Sequence, residues 1–257
     1  MLRRRPARPT LPWLEPGDPF PPVQQAWDMD TGAPGLLASG GALDVQTLLQ
    51  AYRQGIFPWF SAGQPVLWWS PDPRMVLQVG RFRLHRSLRK TLQKFRSSPH
   101  CELRFNHGFA DVMRACAESR RRGAPGTWIL PPMQAAYTAL HAAGHAHSVE
   151  TWIDGQRVGG LYCVAIGRAV FGESMFSLQP DASKIALAGL VAFCRVHGIP
   201  QIDCQQNTPH LASLGAAEMD RAEFLARSQA AQAEAGPAWQ FDPLYWHAIL
   251  PDTPGDP

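Results

Sequence analysis

Apolar residues recur at helical spacing in the first half of the chain and at strand spacing further on. Val45, Leu48, Leu49 and Tyr52 fall at i, i+3, i+4 and i+7 behind Asp44, a capping side chain, and Gly55 supplies the stop. Leu84, Leu88 and Leu92, four apart, predict an amphipathic helix within residues 81–96. Phe109, Val112, Met113 and Cys116 predict another, and so do Met133, Ala136, Tyr137 and Leu140 with Gly144 behind them. From Ala146 the period becomes two. Ala146–Ile153 predicts a strand, Asp154-Gly155 a tight hairpin turn, and residues 157–166 its partner. Gly167-Arg168 turns into a third strand over Ala169–Ser177. A helix that Asp181 or Ser183 can cap and Gly198 can stop follows, then a strand over 199–204. Asp220 with Glu223 marks the start of a last helix.

Three antiparallel strands therefore lead into a β-α-β crossover. Such a crossover is right-handed in nearly all cases, so its two strands run parallel and end on one edge of the sheet. Side chains alternate along a strand. Glu173 and Met175 should share one face, Asp203 and Gln205 one face of the later strand, and Cys204 should point the other way into packing. A carboxylate within an apolar run must be paired, protonated or open to a cleft. Either acid alone could be a satisfied core group; two on neighbouring strands favour a site.

Composition narrows the class. The 257 residues are 45% hydrophobic with a formal charge of +3, which permits one large domain or two lobes and does not by itself name a nucleic-acid partner. Five scattered cysteines form neither a zinc pattern nor a disulfide framework, and no apolar run reaches membrane-spanning length, so a cytoplasmic protein is expected. The basic start Arg3-Arg4-Arg5 lacks the apolar core of a signal peptide. Prolines and tryptophans crowd the first seventy residues and imply a loop-rich lobe, with a loose arm at 1–20 ordered only where Trp13, Leu14 and Phe20 find a surface. Trp59, Trp68 and Trp69 form a small aromatic core or a stacking surface for a base. Residues 81–96 carry seven Lys or Arg and no acid, which suits either a solvated face or contact with phosphates. Trp239, Phe241, Tyr245 and Trp246 should pin the C-terminal stretch, leaving 251–257 mobile.

His145 and His147 lack further ligands at convincing spacing, so no metal site is expected. No GxSxG elbow or cysteine-protease signature accompanies Ser174 or Cys204. The strand order is similar to the acetyltransferase-like (GNAT-like) fold, whose coenzyme A binders place a glycine-rich turn between the crossover strand and its helix. Here the turn is Ser177-Leu178-Gln179-Pro180-Asp181-Ala182-Ser183-Lys184, without glycine and with an acid at the helix start. That disfavours coenzyme A. The residues alone stop at an amine acyltransferase of unspecified donor. A coenzyme A-dependent acetyltransferase and a non-enzymatic RNA-binding protein are the alternatives.

The chain also resembles the leucyl/phenylalanyl-tRNA-protein transferase family. The motifs run in order from about Phe20 to Phe224: Gly35-Leu36-Leu37-Ala38, Gly55-Ile56-Phe57-Pro58-Trp59-Phe60, Trp68-Trp69-Ser70-Pro71-Asp72-Pro73-Arg74, Thr127-Trp128-Ile129, Gly144-His145-Ala146-His147-Ser148-Val149-Glu150, Gly172-Glu173-Ser174-Met175-Phe176-Ser177, Ile202-Asp203-Cys204-Gln205 and Ser213-Leu214-Gly215-Ala216. Ser39, Ala42 and Leu130-Pro131-Pro132 depart from the family pattern.

The resemblance implies a cytoplasmic bacterial enzyme without metal or cofactor. It would move Leu or Phe, less readily Met, from aminoacyl-tRNA to the α-amine of proteins beginning with Arg or Lys, creating a degradation signal. It implies an α+β architecture: an N-terminal lobe over 1–80, a basic helical segment at 81–96, an acetyltransferase-like C-terminal domain over 97–235 and a proline-rich tail over 236–257, acting as a monomer. It further implies that Asp203 and Gln205 orient the attacking amine and that Glu173 holds a reacting group. Met175 and Ile202 would line the donor side-chain pocket, Trp59 and Trp128 would hold the terminal adenosine, and Arg86, Arg89, Lys90 and Lys94 would meet tRNA phosphates.

Overall fold

A computed structural model describes residues 10–119 and 127–250; Arg3-Arg4-Arg5, Gly126 and the segment 251–257 lie outside them. The smaller of two sheets is built from β1 (Trp13–Leu14), β2 (Leu36–Gly40), β3 (Phe57–Pro58) and β4 (Leu67–Trp69), in the order β1-β2-β4-β3. Helix α1 (Val45–Arg53) connects β2 to β3. Asp44 accepts the Thr47 amide at 2.7 Å to cap it, and Gly55, at φ 71°, lets the chain leave its C-terminus. The tryptophans divide. Trp68 is fully buried, edge-on to Phe20, and donates to Gly40 O at 2.9 Å. Trp59 stays exposed.

The remaining elements are β5 (Arg74–Gln78), α2 (Arg86–Ser97), β6 (Cys101–Phe105), α3 (Phe109–Glu118), α4 (Pro131–Ala142), β7 (Ala146–Ile153), β8 (Gln156–Ile166), β9 (Ala169–Ser177), α5 (Ala182–Val196), β10 (Gln201–Gln205), α6 (Pro209–Ser213), β11 (Ala217–Met219) and α7 (Arg221–Gln232). The second sheet has the order β11-β5-β10-β9-β8-β7-β6. Strands β7, β8 and β9 form the meander, with Asp154 and Gly155 both at positive φ in the β7–β8 turn, and β10 returns parallel to β9 after α5. The architecture is mixed α+β.

Alternation along the strands splits the interior in two. Tyr162, Val164, Ile166 and Phe171 face a core shared with α1, α3 and α4. Leu161, Cys163, Val170 and Ile202 face a core shared with α2 and α5. Helix α5 is apolar nearly all round because the sheet covers one side and α2 with the C-terminal segment covers others.

Several expectations are adjusted. The basic helix begins at Arg86, not 81; residues 79–81 form a 3₁₀ turn. Asp220 precedes α7 but its side chain does not cap it; Asp72 accepts the Arg221 amide instead, at 3.0 Å. Strand β5 pairs with β10 and β11, so the two sheets part between residues 69 and 74. Strand β6, at the far edge, had no sequence signal strong enough to predict it. The C-terminal aromatics do pack on the body: Trp239 stacks on His147 with centroids 4.0 Å apart, and Trp246 meets Phe95 of α2.

The start of α5 lies directly on β8. A Cβ added at Gly159 would fall 2.5 Å from Ala182 Cβ and 2.8 Å from the Ala182 carbonyl carbon. Gly159→Ala should therefore destabilise the protein by about 1–3 kcal/mol in urea unfolding. A midpoint equal to that of the parent would mean that α5 moves away at no cost.

Candidate active site

Strands β9 and β10 pair only at Ile202–Val170 and Asp203–Phe171. Beyond that point both are bulged. Against β8 the register of β9 shifts between Ser174 and Gly172, leaving Glu173 as the additional residue; against β5 the register of β10 shifts between Asp203 and Gln205, leaving Cys204. The parallel pair opens there into a cavity of about 350 Å³.

The bulge on β9 overturns simple alternation there. Glu173 turns towards the α1/α4 side, whereas Met175 packs on the α5 side, though both line the cavity. Cys204 packs against the α5-side core, opposite to Asp203 and Gln205 as expected, and also borders the cavity. Burial pushes the Cys204 thiol up to about 12, with Asp203 adding to the effect, so it is a neutral wall group. Asp203 does not line the cavity.

Met175, Leu187, Leu190, Ile202 and Leu211 make one wall apolar; Trp59 and Trp128 stand among the other lining residues. Trp59 is braced by Trp69, whose ring lies 5.4 Å away and whose Nε1 donates to Trp59 O at 2.7 Å. Glu173 Oε1 accepts two hydrogen bonds, from Tyr52 OH and from Gln205 Nε2, each at 2.7 Å. Tyr52 gives its one hydroxyl proton to Glu173, so Tyr137, in contact with Tyr52 OH, is the donor of that pair. Burial pushes the Glu173 carboxyl up to about 8; Asp203 adds to the rise, while the hydrogen bonds from Tyr52 and Gln205 oppose it. At neutral pH the group is therefore mostly uncharged. With Oε1 occupied as an acceptor, its proton belongs on Oε2.

Behind Gln205 sits a buried ion pair. Arg74 Nε and Nη2 donate to the two oxygens of Asp203 at 2.9 and 2.7 Å, and Asp203 Oδ1 also accepts the Gln205 amide at 2.9 Å. Gln205 is held at φ 60°.

A family model described as leucyl/phenylalanyl-tRNA protein transferase matches residues 76–229, and one for the N-terminal domain of that protein matches residues 41–72. The chain belongs to the leucyl/phenylalanyl-tRNA protein transferase family. A leucyl/phenylalanyl-tRNA protein transferase of Albidiferax ferrireducens is 62% identical, covering 94% of this chain and 95% of its own. The same-named protein of Polaromonas sp. is 62% identical over 93% of this chain and 94% of its own. That of Leptothrix cholodnii is 56% identical over 96% and 98%. A conserved protein of Staphylococcus epidermidis described as functionally unknown aligns at 8% identity and a TM-score of 0.34, covering 75% of this chain and 71% of its own.

In this transferase-family chain the basic residues lie apart from the cavity lining. Arg86, Arg89, Lys90 and Lys94 are exposed on α2, whose Leu88, Leu92 and Phe95 face inward. The start of α2 is tied to the rim, since His85 Nε2 meets Ser213 O at the end of α6 at 2.7 Å. His147 is stacked on Trp239 and burial pushes it down to about 3, which makes it a neutral packing group. No described helix is long and apolar enough to cross a membrane. Sequence reasoning placed Tyr52 and Tyr137 in the core and gave Arg74 no role. An arginine opening an apolar strand was the available signal for a buried partner.

The raised Glu173 value has a consequence for stability. Between about pH 4.5 and 8 the unfolded chain has released this proton and the folded chain keeps it, so stability falls as pH rises through that window. The slope from one proton is at most about 1.4 kcal/mol per pH unit. Glu173→Gln should remove it and gain stability over the parent from pH 5 to pH 8 in urea titrations. A constant difference between the two proteins across that range would refute the shifted carboxyl.

Proposed function

We propose that the cavity transfers Leu or Phe, less readily Met, from aminoacyl-tRNA to the α-amine of proteins whose first residue is Arg or Lys. One observation carries this reading: an apolar wall sized for a large hydrophobic side chain faces a polar pair, Glu173 and Gln205, with tryptophans Trp59 and Trp128 among the remaining walls. Met175 and Ile202 would take the donor side chain, and Trp59 and Trp128 the terminal adenosine. The exposed face of α2 suits tRNA phosphates.

The chemistry asks little of the protein. The aminoacyl ester is already activated, and an α-amine with a pKa near ~8 is partly neutral at pH 7. Gln205 gives its Nε2 protons to Glu173, which leaves its Oε1 to accept from the amine and align it. The amine nitrogen bonds to the ester carbonyl carbon, the bond to the ribose oxygen breaks, and the proton lost by the amine balances the one gained by the ribose hydroxyl. The Oε2 proton of Glu173 can donate to the carbonyl oxygen as negative charge develops on it. Asp203 contributes from behind by fixing the Gln205 backbone. A coenzyme A donor fits less well: Asp181, paired with Lys184 at 2.8 Å, stands at the α5 start where pyrophosphate would need free amides. On this reading residues 97–235 form an acetyltransferase-like domain. The enzyme works as a cytoplasmic monomer and needs no metal or coenzyme.

The test incubates the protein with a substrate beginning with Arg and either labelled Leu-tRNA or labelled acetyl-coenzyme A. Label should move from Leu-tRNA alone; transfer from acetyl-coenzyme A, or from neither, would refute the proposal. Glu173→Ala should lower kcat by about 10²–10³-fold. In the parent, kcat should decline above about pH 8 as Glu173 ionises, and Glu173→Gln, which keeps a donor, should lack that decline. On α2, replacing Arg89, Lys90 and Lys94 with Ala should raise the donor KM and reduce its salt slope by about one unit per lost phosphate contact. An unaltered slope would remove α2 from the tRNA interface.

A further inference from the structure

We propose that Arg74 is a positioning residue for the transfer: by clamping Asp203 it holds Gln205 in the backbone conformation that aims its carboxamide across the cavity. The proposal rests on the reading of Gln205 as the group that aligns the amine. Arg74 and Asp203 are fully buried and neither lines the cavity, so any influence on the reaction passes through other residues. The link is short. Both carboxylate oxygens of Asp203 are occupied by the Arg74 fork, and Oδ1 carries the Gln205 amide in addition. Gln205 needs that support, since its left-handed backbone is unfavourable for a residue with a Cβ. With a freely rotating carboxylate the bulge can relax to extended backbone, and the side chain then leaves Glu173.

The guanidinium also reaches the opposite wall. Its Nη1 donates to Gly55 O at 3.1 Å, and its carbon lies 4.9 Å from the Phe57 ring and 4.8 Å from the Phe224 ring. Phe57, Pro58 and Trp59 line the cavity, so one side chain ties that wall to Gln205. Lysine cannot substitute, because a point charge lacks the planar fork that fixes a carboxylate.

A purely structural ion pair would affect stability and leave the folded enzyme's chemistry alone, and a mutant cycle on the full chain separates the two cases. Arg74→Lys should lower kcat by about 100-fold with donor KM within about twofold. Combined with Gln205→Ala it should be no slower than Gln205→Ala by itself. The Gln205 amide should exchange its hydrogen faster in Arg74→Lys. An unchanged kcat in the folded variant, or losses that multiply in the double variant, would overturn the proposal. If Arg74→Lys does not fold, Arg74→Met with Asp203→Leu leaves no unpaired buried charge. Its kcat should be lost in the folded protein, and full kcat would be equally fatal. Should the parent transfer nothing from Leu-tRNA, the proposed reaction fails separately. Unchanged exchange protection at Gln205 in a folded variant would then still refute the clamp.

Discussion

Arg74 and Asp203 are two opposite charges placed where water cannot reach either, and much of the surrounding architecture follows from that constraint. Isolated, each ion would cost several kcal/mol in lost hydration, so each must be paired and hydrogen-bonded. It does so by spanning elements far apart in sequence: β5 supplies the arginine, β10 the aspartate, and the loop after α1 supplies the Gly55 carbonyl. Phe57 and Phe224 close over the guanidinium on two sides. The pair therefore fastens β5 into the large sheet and brings the smaller sheet against it. It also leaves Asp203 one acceptor position for the backbone of the bulge.

That bulge and the one on β9 are what make a cavity possible. A regular parallel pair would continue its hydrogen bonds and bring the strands to their ordinary separation. Here pairing ends after Phe171 and Asp203, and both strands carry an additional residue at that point. Gly172 lies where the strands are still close, with Asp203 O 3.3 Å from the position a Cβ would take. The opening is lined by polar groups on one side and by apolar residues of α5 on the other.

Glu173 gains its chemical character from this setting. The same carboxyl on a regular strand edge would meet water and ionise at its ordinary value. Set among Tyr52, Tyr137 and Gln205, with Asp203 nearby, it keeps its proton at neutral pH and presents a neutral hydrogen-bonding surface to the cavity.

Much of the fold was legible in the chain. The heptad-like spacing around Leu48 and Tyr52, the Asp154-Gly155 turn and the alternating strands after Ala146 each depend on neighbours within a few residues, and local preference and burial agree there. The motifs around Glu173 and Gln205 likewise marked where polar groups meet at one sheet edge. The sequence by itself determined the meander, the crossover and the residues available to a site. Tertiary structure alone decided that Arg74 lies between β10 and two aromatic rings, that Tyr52 reaches Glu173 from another sheet's connection, and that Glu173 and Met175 face opposite sides of β9. Those outcomes depend on contacts between segments more than a hundred residues apart and on register shifts between strands, and neither leaves a periodic trace in the chain.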